Sequence, residues 1–396
     1  KPNFPINEEG YPKKKGPPGI PDIECFYENF SLILEVTLKT NHSNIHTPVF
    51  MPIGTQGAVK TIDPEVLTKL NANIILGNTY HLYIRPGHTL IKNAGSLHSF
   101  INWNKSILTD SGGFQVYSLS KLNKISDQGV EFKSHLDGSK HFFTPEISMD
   151  IQRHLGSDII MAFDECPPGQ AEEKVVRSAV DRTTKWIKQC SDFIKQNRPF
   201  YDWEQTLFPI IQGGAFPSLR KKSTEELLPF SQCGIAIGGL AVGEEKTSMF
   251  ETIDLMNTLL PKDQPRYLMG VGRPTDIVRS VQLGIDMFDC VLPTRNARNG
   301  QLFTSQGIVN IGNKAHKEAF DQLDPNCKCY TCENFSKSYL RHLFNIKEVL
   351  GLRLATIHNL SYYMNLMEDI RNNIKGQTFS EWSINYLKKM NDFKGM

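Results

Sequence analysis

Three aspartates stand where a short apolar run gives way to a polar turn. Asp110 closes SILTD ahead of Ser111-Gly112-Gly113, Asp164 lies in MAFDEC, and Asp289 lies in MFDCVLPTR. A single aspartate after a strand can do no more than cap the next turn. Three that converge on one mouth, with Gln212 and the Gly238-Gly239 backbone beside them, can divide labour around a substrate. One carboxylate can attack an anomeric carbon while another serves as general acid and base. That is the chemistry of glycosyl transfer.

Cys327, Cys329 and Cys332 offer three thiols within six residues. Zinc in a closed structural site prefers four Cys or His ligands, so a fourth must come from elsewhere, with His342 and His358 as the nearby candidates. Three thiolates and no vacant position suit a metal that holds a fold rather than one that turns over substrate. An iron-sulfur cluster is the other chemistry open to such a group. Only eight cysteines occur in 396 residues, far below the density of a secreted disulfide scaffold, which points to a reducing compartment.

The elements that must position these residues are short apolar runs, most followed by a helical stretch, the pattern of βα units on a parallel sheet. Eight such runs are expected as strands, at 49–55, 73–78, 106–110, 158–164, 207–212, 234–239, 266–270 and 285–291. Eight strands predict a closed (β/α)8 TIM barrel of α/β class, whose active site is built at the C-terminal strand ends. Helices are expected to start at Asp63-Pro64-Glu65 and Thr144-Pro145-Glu146, and to span 172–194, 217–228, 247–260 and 273–283, with proline and acidic residues in several first turns. The polar stretch 115–141 reads as an inserted hairpin pair. The organisation predicted is a flexible N-terminal arm at 1–21, a catalytic barrel at 22–312, and a zinc-binding helical subdomain with C-terminal helices at 313–396.

Lys and Arg total 44 against 42 Asp and Glu, so any polyanionic partner needs a local basic patch rather than a global field. Lys314, Lys317, Lys328, Lys337, Arg341 and Arg353 could form one. No run approaches the roughly 20 apolar residues of a membrane span. There is no secretory signal in the opening residues, so the expected location is cytoplasmic.

The strings LTDSGGFQ (108–115), MAFDEC (161–166), GGLAVGE (238–244), MGVG (269–272) and FDCVLPTR (288–295), with the Cys-x-Cys-x2-Cys and distant His358, resemble the tRNA-guanine transglycosylases, the queuine tRNA-ribosyltransferase family. The resemblance runs in order over about 47–360. It implies replacement of the wobble guanine of tRNAs with G-U-N anticodons, those for aspartate, asparagine, histidine and tyrosine, by a deazaguanine base. Asp289 would be the nucleophile and Asp110 the general acid and base. Asp164, Gln212 and the Gly239 backbone would bind the purine edges, with Phe114 and Met269 on its faces. Leu240, through its carbonyl, and Glu244 would meet the substituent at carbon 7. Arg295 and Arg298, with Arg273 and Asp276 nearby, would grip the tRNA.

Cys166 and Val242 match the bacterial type, which inserts 7-aminomethyl-7-deazaguanine; queuine-inserting eukaryotic subunits carry Val and Gly there. The resemblance further implies one structural Zn2+ per chain, held by Cys327, Cys329, Cys332 and His358, and a homodimer. Two rivals are a catalytically silent tRNA-binding partner subunit, against which the intact Asp110 and Asp289 count, and a carbohydrate-processing barrel, against which the cysteine cluster counts.

Overall fold

The computed structural model describes residues 34–119 and 123–392, together with the strands Lys13–Lys14 and Ile23–Tyr27. Apart from Lys13–Lys14, the arm expected over 1–21 lies outside the described residues. Each of the eight expected runs holds a strand, and each of the six expected helices is present. The strands form two parallel sheets of five. One runs Thr206–Phe208, Ile159–Met161, Ser106–Thr109, Ile74–Gly77, Ile53–Gly54; the other runs Ile210–Ile211, Ile235–Ile237, Arg266–Leu268, Met287–Asp289, Val49–Met51.

Eight runs give ten strands because Pro52 and Pro209 lie inside the first and fifth and bring no amide to the ladder. Their carbonyls still accept, Pro52 from Leu76 N (3.0 Å) and Pro209 from Ala236 N (2.9 Å). Alternate strand residues bury on opposite faces. Ile74, Leu76, Ile159, Met161, Ala236 and Met287 pack in one cluster. Ile75, Ile160, Ile235, Ile237 and Phe288 pack in another with the helices. Both faces are therefore dry, which explains why the runs read as continuous rather than alternating apolar segments.

Helix starts follow their sequence signals. The Asp63 carboxylate accepts from Val66 N (2.9 Å) ahead of Pro64–Lys69, and the Thr144 hydroxyl accepts from Ile147 N (3.2 Å) ahead of Pro145–Leu155. Between Ile74–Gly77 and Ser106–Thr109 lie three short helices, Thr79–Ile84, His88–Asn93 and Leu97–Ile101, that the periodicity does not single out. The insertion is a three-stranded antiparallel sheet, Asn123–Ser126, Gly129–Lys133 and Lys140–Phe143. Beyond it the C-terminal region carries the hairpin Gln301–Thr304 with Gly307–Asn310, the helices Tyr330–Asn334 and Lys337–Asn345, the 27-residue helix Val349–Lys375, and Phe379–Asp392.

An antiparallel sheet including Leu34–Lys39 and Asn44–His46 closes the N-terminal ends of the parallel strands. Its Val36, Leu38 and Ile45 join the inner cluster. The connecting turn bonds to the residues that begin those strands: Ser43 Oγ donates to Asn73 O (2.9 Å), and His42 Nδ1 pairs with Asp158 Oδ1 (2.7 Å). Asp158 Oδ2 accepts from Ile107 N (2.9 Å) and lies 3.3 Å from His98 Nε2. Burial opposes ionisation of Asp158, but the bonds from His42 and His98 outweigh it and hold the carboxyl down at about 2.

A carboxylate whose folded pKa is depressed contributes stability above its unfolded pKa and loses it as pH falls through the folded value. Asp158→Asn is therefore expected to lower the unfolding free energy by about 2 kcal/mol at pH 7. The difference from the unsubstituted protein should shrink between about pH 4 and pH 2; urea denaturation across that range checks both points.

Candidate active site

With the N-terminal strand ends covered, the residues leading out of the C-terminal ends meet on the opposite side. Asp110 follows Ser106–Thr109, Asp164 lies three residues past Ile159–Met161, Gln212 follows Ile210–Ile211, Gly238 and Gly239 follow Ile235–Ile237, and Asp289 ends its strand. All three aspartates are buried.

Asp110 is held by donors alone. Thr79 N reaches Oδ1 (2.7 Å), while the side-chain amides of Asn78 and Gln115 both reach Oδ2. Burial raises its carboxyl to about 6, against the pull of those three donors, and the charge of Asp289 pushes the same way as burial. The charge of Asp289 is therefore felt at Asp110. Asp289 is also raised by burial, opposed by Tyr267 and Gly270. Both of these bonds fall on one oxygen: Tyr267 OH (2.7 Å) and Gly270 N (2.8 Å) donate to Oδ1. Among the described residues Oδ2 accepts no hydrogen bond, so the anchoring falls on one oxygen alone.

Asp164 receives Ser111 Oγ on Oδ1 (2.7 Å) and Gln212 Nε2 on Oδ2 (2.8 Å), and burial raises it to about 6. Gln212 Oε1 is buried and has no hydrogen-bond partner among the described residues. An orphaned buried acceptor is costly unless a ligand donates to it. The glycines beside it leave no room for a side chain. A Cβ on Gly238 would lie 2.6 Å from Gln212 Nε2, and one on Gly239, at φ +64°, would lie 2.4 Å from Gln212 Oε1. The backbone of Gly238 and Gly239 therefore packs directly against the Gln212 amide.

Cys166 and Leu240 are buried and Val242 is half-buried; burial pushes the Cys166 thiol up to about 12, so it stays protonated. Glu244 folds back on its own loop, accepting from the amides of Ala241 and Val242 (3.0 Å to the latter). Phe114 is 46% exposed at the rim, and Met269 packs against the inner cluster. Arg295 and Arg298 share a face of the helix Leu292–Arg298; Arg295 is exposed, and Arg298 Nη1 donates to Thr294 O (2.8 Å). Arg273 is exposed at the N-cap of Pro274–Gln282. Asp276 is buried, with both oxygens taken by Lys246 Nζ at 2.8 and 2.7 Å. Of the basic residues expected in one patch, Lys337 pairs with Asp321, Arg353 with Asp63, and Arg341 donates to Asn313 O.

Sequence reasoning did not assign roles to Asn78, Thr79 and Gln115, which hold Asp110, or to Tyr267 and Gly270, which hold Asp289. Gln115 lies inside a motif string already singled out. Gly270 likewise lies inside the singled-out MGVG string; for Asn78, Thr79 and Tyr267, partnership with the carboxylates comes from across the strand ends and leaves no local signal.

The thiols of Cys327, Cys329 and Cys332 and a ring nitrogen of His358 all lie within 4.8 Å of one another, a group able to hold a metal ion. His342, the other candidate, is not in that group. His358 Nδ1 lies 3.6 Å from Cys329 Sγ and 3.3 Å from Cys332 Sγ. Its Nε2 bonds the Phe303 carbonyl (2.7 Å), which fixes the proton there and leaves Nδ1 with a free lone pair. The next residue, Asn359, donates to Pro293 O (3.0 Å) and Gln301 O (3.1 Å) and accepts from Phe303 N (3.0 Å). The metal-site helix thus clasps the chain leaving Asp289.

A profile of the queuine tRNA-ribosyltransferases matches residues 36–392. A queuine tRNA-ribosyltransferase of Caldanaerobacter subterraneus is 53% identical over 352 residues, 89% of this chain and 92% of the relative. Relatives of the same description are 52% identical in Halothermothrix orenii (89% of this chain, 93% of the relative) and 53% identical in Staphylococcus aureus (85% and 88%). The chain belongs to the queuine tRNA-ribosyltransferase family. It is an enzyme of the tRNA-guanine transglycosylase class, and the family match takes in all three buried aspartates and the four residues of the metal group.

In this family member the raised carboxyls carry a cost. A group with a folded pKa above its unfolded value destabilises the fold as pH rises through that interval. Asp164→Asn, which keeps an acceptor for Ser111 or Gln212, is expected to raise the unfolding free energy above pH 6 by up to about 3 kcal/mol. The gain should vanish below about pH 4, as denaturant titrations at several pH values would reveal.

Proposed function

We propose that the chain exchanges the wobble guanine of G-U-N anticodon tRNAs for 7-aminomethyl-7-deazaguanine by double displacement. The observation that carries the reading is the asymmetric anchoring of Asp289 beside a second carboxyl, Asp110, whose pKa near 6 suits a group that gives and takes a proton near neutral pH. Asp289 Oδ2 attacks C1′ of the ribose as the bond to guanine breaks, and Asp110 protonates the departing guanine. Asp110 then takes the proton of the incoming base, which attacks C1′ and releases Asp289. Two inversions retain configuration. Asp164, Gln212 and Gly239 hold the base edges, the orphan Gln212 Oε1 accepting from the base. Phe114 and Met269 cover its faces, while Cys166, Leu240, Val242 and Glu244 border the substituent. The base must leave the anticodon stack to enter the pocket.

The two sheets are taken to close as one (β/α)8 barrel. In support, the first run pairs on one side with Ile74–Gly77 and on the other with Met287–Asp289, and a single apolar cluster draws on strands of both sheets. The catalytic unit is read as 22–312 and the metal-bearing subdomain as 313–396. Three thiols and one imidazole with a fixed tautomer suit a structural Zn2+. Arg295 and Arg298, with Arg273 beyond them, are the tRNA contacts favoured; Asp276 is better read as holding Lys246. A homodimer is supported by exposed Tyr330, Tyr339, Ile346, Val349 and Leu350 on the C-terminal subdomain. Among the described residues no helix is long and apolar enough to cross a membrane. The reading places the reaction in the cytoplasm, with its tRNA.

Radiolabelled guanine in such a tRNA should be chased out by 7-aminomethyl-7-deazaguanine and not by queuine. Asp289→Asn should cut the rate by at least about 1000-fold and leave no covalent tRNA adduct on a denaturing gel. A queuine-driven chase would overturn the reading of Cys166 and Val242. For the metal, Cys329→Ser should lower zinc content by atomic absorption and melting temperature together, since structural zinc binding is part of the folding free energy. Unchanged stoichiometry would remove the assignment.

A further inference from the structure

Two arginines are almost wholly buried, Arg220 at 0% and Arg266 at 3% exposure. Both direct most of their guanidinium bonds at backbone carbonyls, but at opposite ends of the strands. Arg266 begins its own strand and donates to Leu260 O (3.0 Å), Pro261 O (3.1 Å), Gly284 O (3.3 Å) and Asn257 Oδ1 (2.6 Å), with its backbone amide on Asp286 Oδ2 (2.8 Å), at the end opposite Asp110, Asp164 and Asp289. Arg220 lies in the first turn of the helix Pro217–Leu227, which follows the Gln212 strand. Its Nε donates to Gly214 O (2.8 Å), Nη1 to Ile211 O (2.9 Å) and Nη2 to Gly239 O (3.4 Å). No carboxylate lies within ion-pair distance of it among the described residues.

These contacts determine the backbone from which the base pocket is made. The Ile211 carbonyl and the Gln212 amide belong to one peptide plane. Arg220 holds the carbonyl, and Ser223 Oγ, one turn further along the same helix, accepts from Gln212 N (3.2 Å). That plane is pinned at both edges. The Gly239–Leu240 peptide is pinned at its carbonyl by the same guanidinium, so one rigid fork sets the spacing between Gln212 and Gly239. The close fit of the Gln212 amide against Gly238 and Gly239 depends on that spacing. Gly213 gives the helix room, for a Cβ there would lie 2.8 Å from Arg220 N. A bare cation in a dry site is expensive to keep. A lysine, as a point charge, cannot reproduce the fork.

We propose that Arg220 is a positioning residue for recognition of the incoming purine-like base, acting through Gln212 and Gly239 and not on attack by Asp289. The inference rests on the assignment of Asp164, Gln212 and Gly239 as the base pocket. Its test compares Arg220→Lys, Ser223→Ala, Arg266→Lys and Asp164→Asn in the full-length protein, with KM for 7-aminomethyl-7-deazaguanine, KM for tRNA, kcat at saturating base and melting temperature measured for each. Arg220→Lys should raise the base KM about 10- to 100-fold, with tRNA KM and kcat within about threefold. Ser223→Ala should shift the base KM the same way by a smaller factor, and it keeps the question answerable if Arg220→Lys does not fold. Arg266→Lys should lower the melting temperature and leave the base KM in place. Equal base KM changes in the Arg220 and Arg266 variants, or none in Arg220→Lys and Ser223→Ala, would overturn the proposal. An unchanged base KM in Asp164→Asn would instead overturn the pocket assignment on which it stands.

Discussion

Desolvation of carboxylates is the constraint on which the rest of this structure depends. Three aspartates lie buried at one end of two dry parallel sheets, and for each of them burial is the largest influence on its ionisation. Their recorded hydrogen bonds come from neutral donors, amides and hydroxyls, rather than from cations. A cation would have pulled the pKa values down and tied up the oxygens. Neutral donors fix the orientation of the carboxyl groups and leave the values high; at Asp110 that suits the proton exchange near neutral pH proposed for it.

The opposite end of the strands treats an aspartate differently. Asp158 is as dry as Asp110, yet two histidines bring it down to about 2 while the others rise. Strand end alone does not decide this: Asp286, just ahead of Met287–Asp289 and so at the same end as Asp158, is raised to about 7 by burial that the Arg266 amide and charge only partly offset. The antiparallel sheet covers that end and leaves the end with Asp110, Asp164 and Asp289 as the mouth. Partners decide whether a buried aspartate is held low or high.

The C-terminal region extends the same network to Asp289. His358 directs one nitrogen to the metal group and the other to Phe303, Asn359 bonds Pro293, and Tyr363 donates to the Gly272 carbonyl. Gly270, two residues before Gly272, anchors Asp289. The Cys3His group is thus connected to Asp289, distant in sequence, by hydrogen bonds along one helix.

Much of this was determined by local pattern. The eight strands, the proline-led helices and the placing of Asp110, Asp164 and Asp289 at strand ends follow from apolar runs, caps and turn residues, whose physics acts over a few neighbours. The thiol triad was equally legible, because its three cysteines fall within six residues. Local pattern did not reveal the breaks at Pro52 and Pro209, where a missing amide matters only once a neighbouring strand is present, nor the three short helices of 79–101. It left His342 and His358 open; the family resemblance pointed to His358, and packing of the long helix onto the Phe303 hairpin brings that residue to the thiols. Nor did local pattern show that Lys246 from another helix occupies both oxygens of Asp276. The donors to Asp110 and Asp289, and the buried fork of Arg220, belong wholly to the tertiary structure. A hydrogen bond between residues tens of positions apart leaves no periodicity in the chain, and the desolvation that sets these pKa values exists only after the strands have come together.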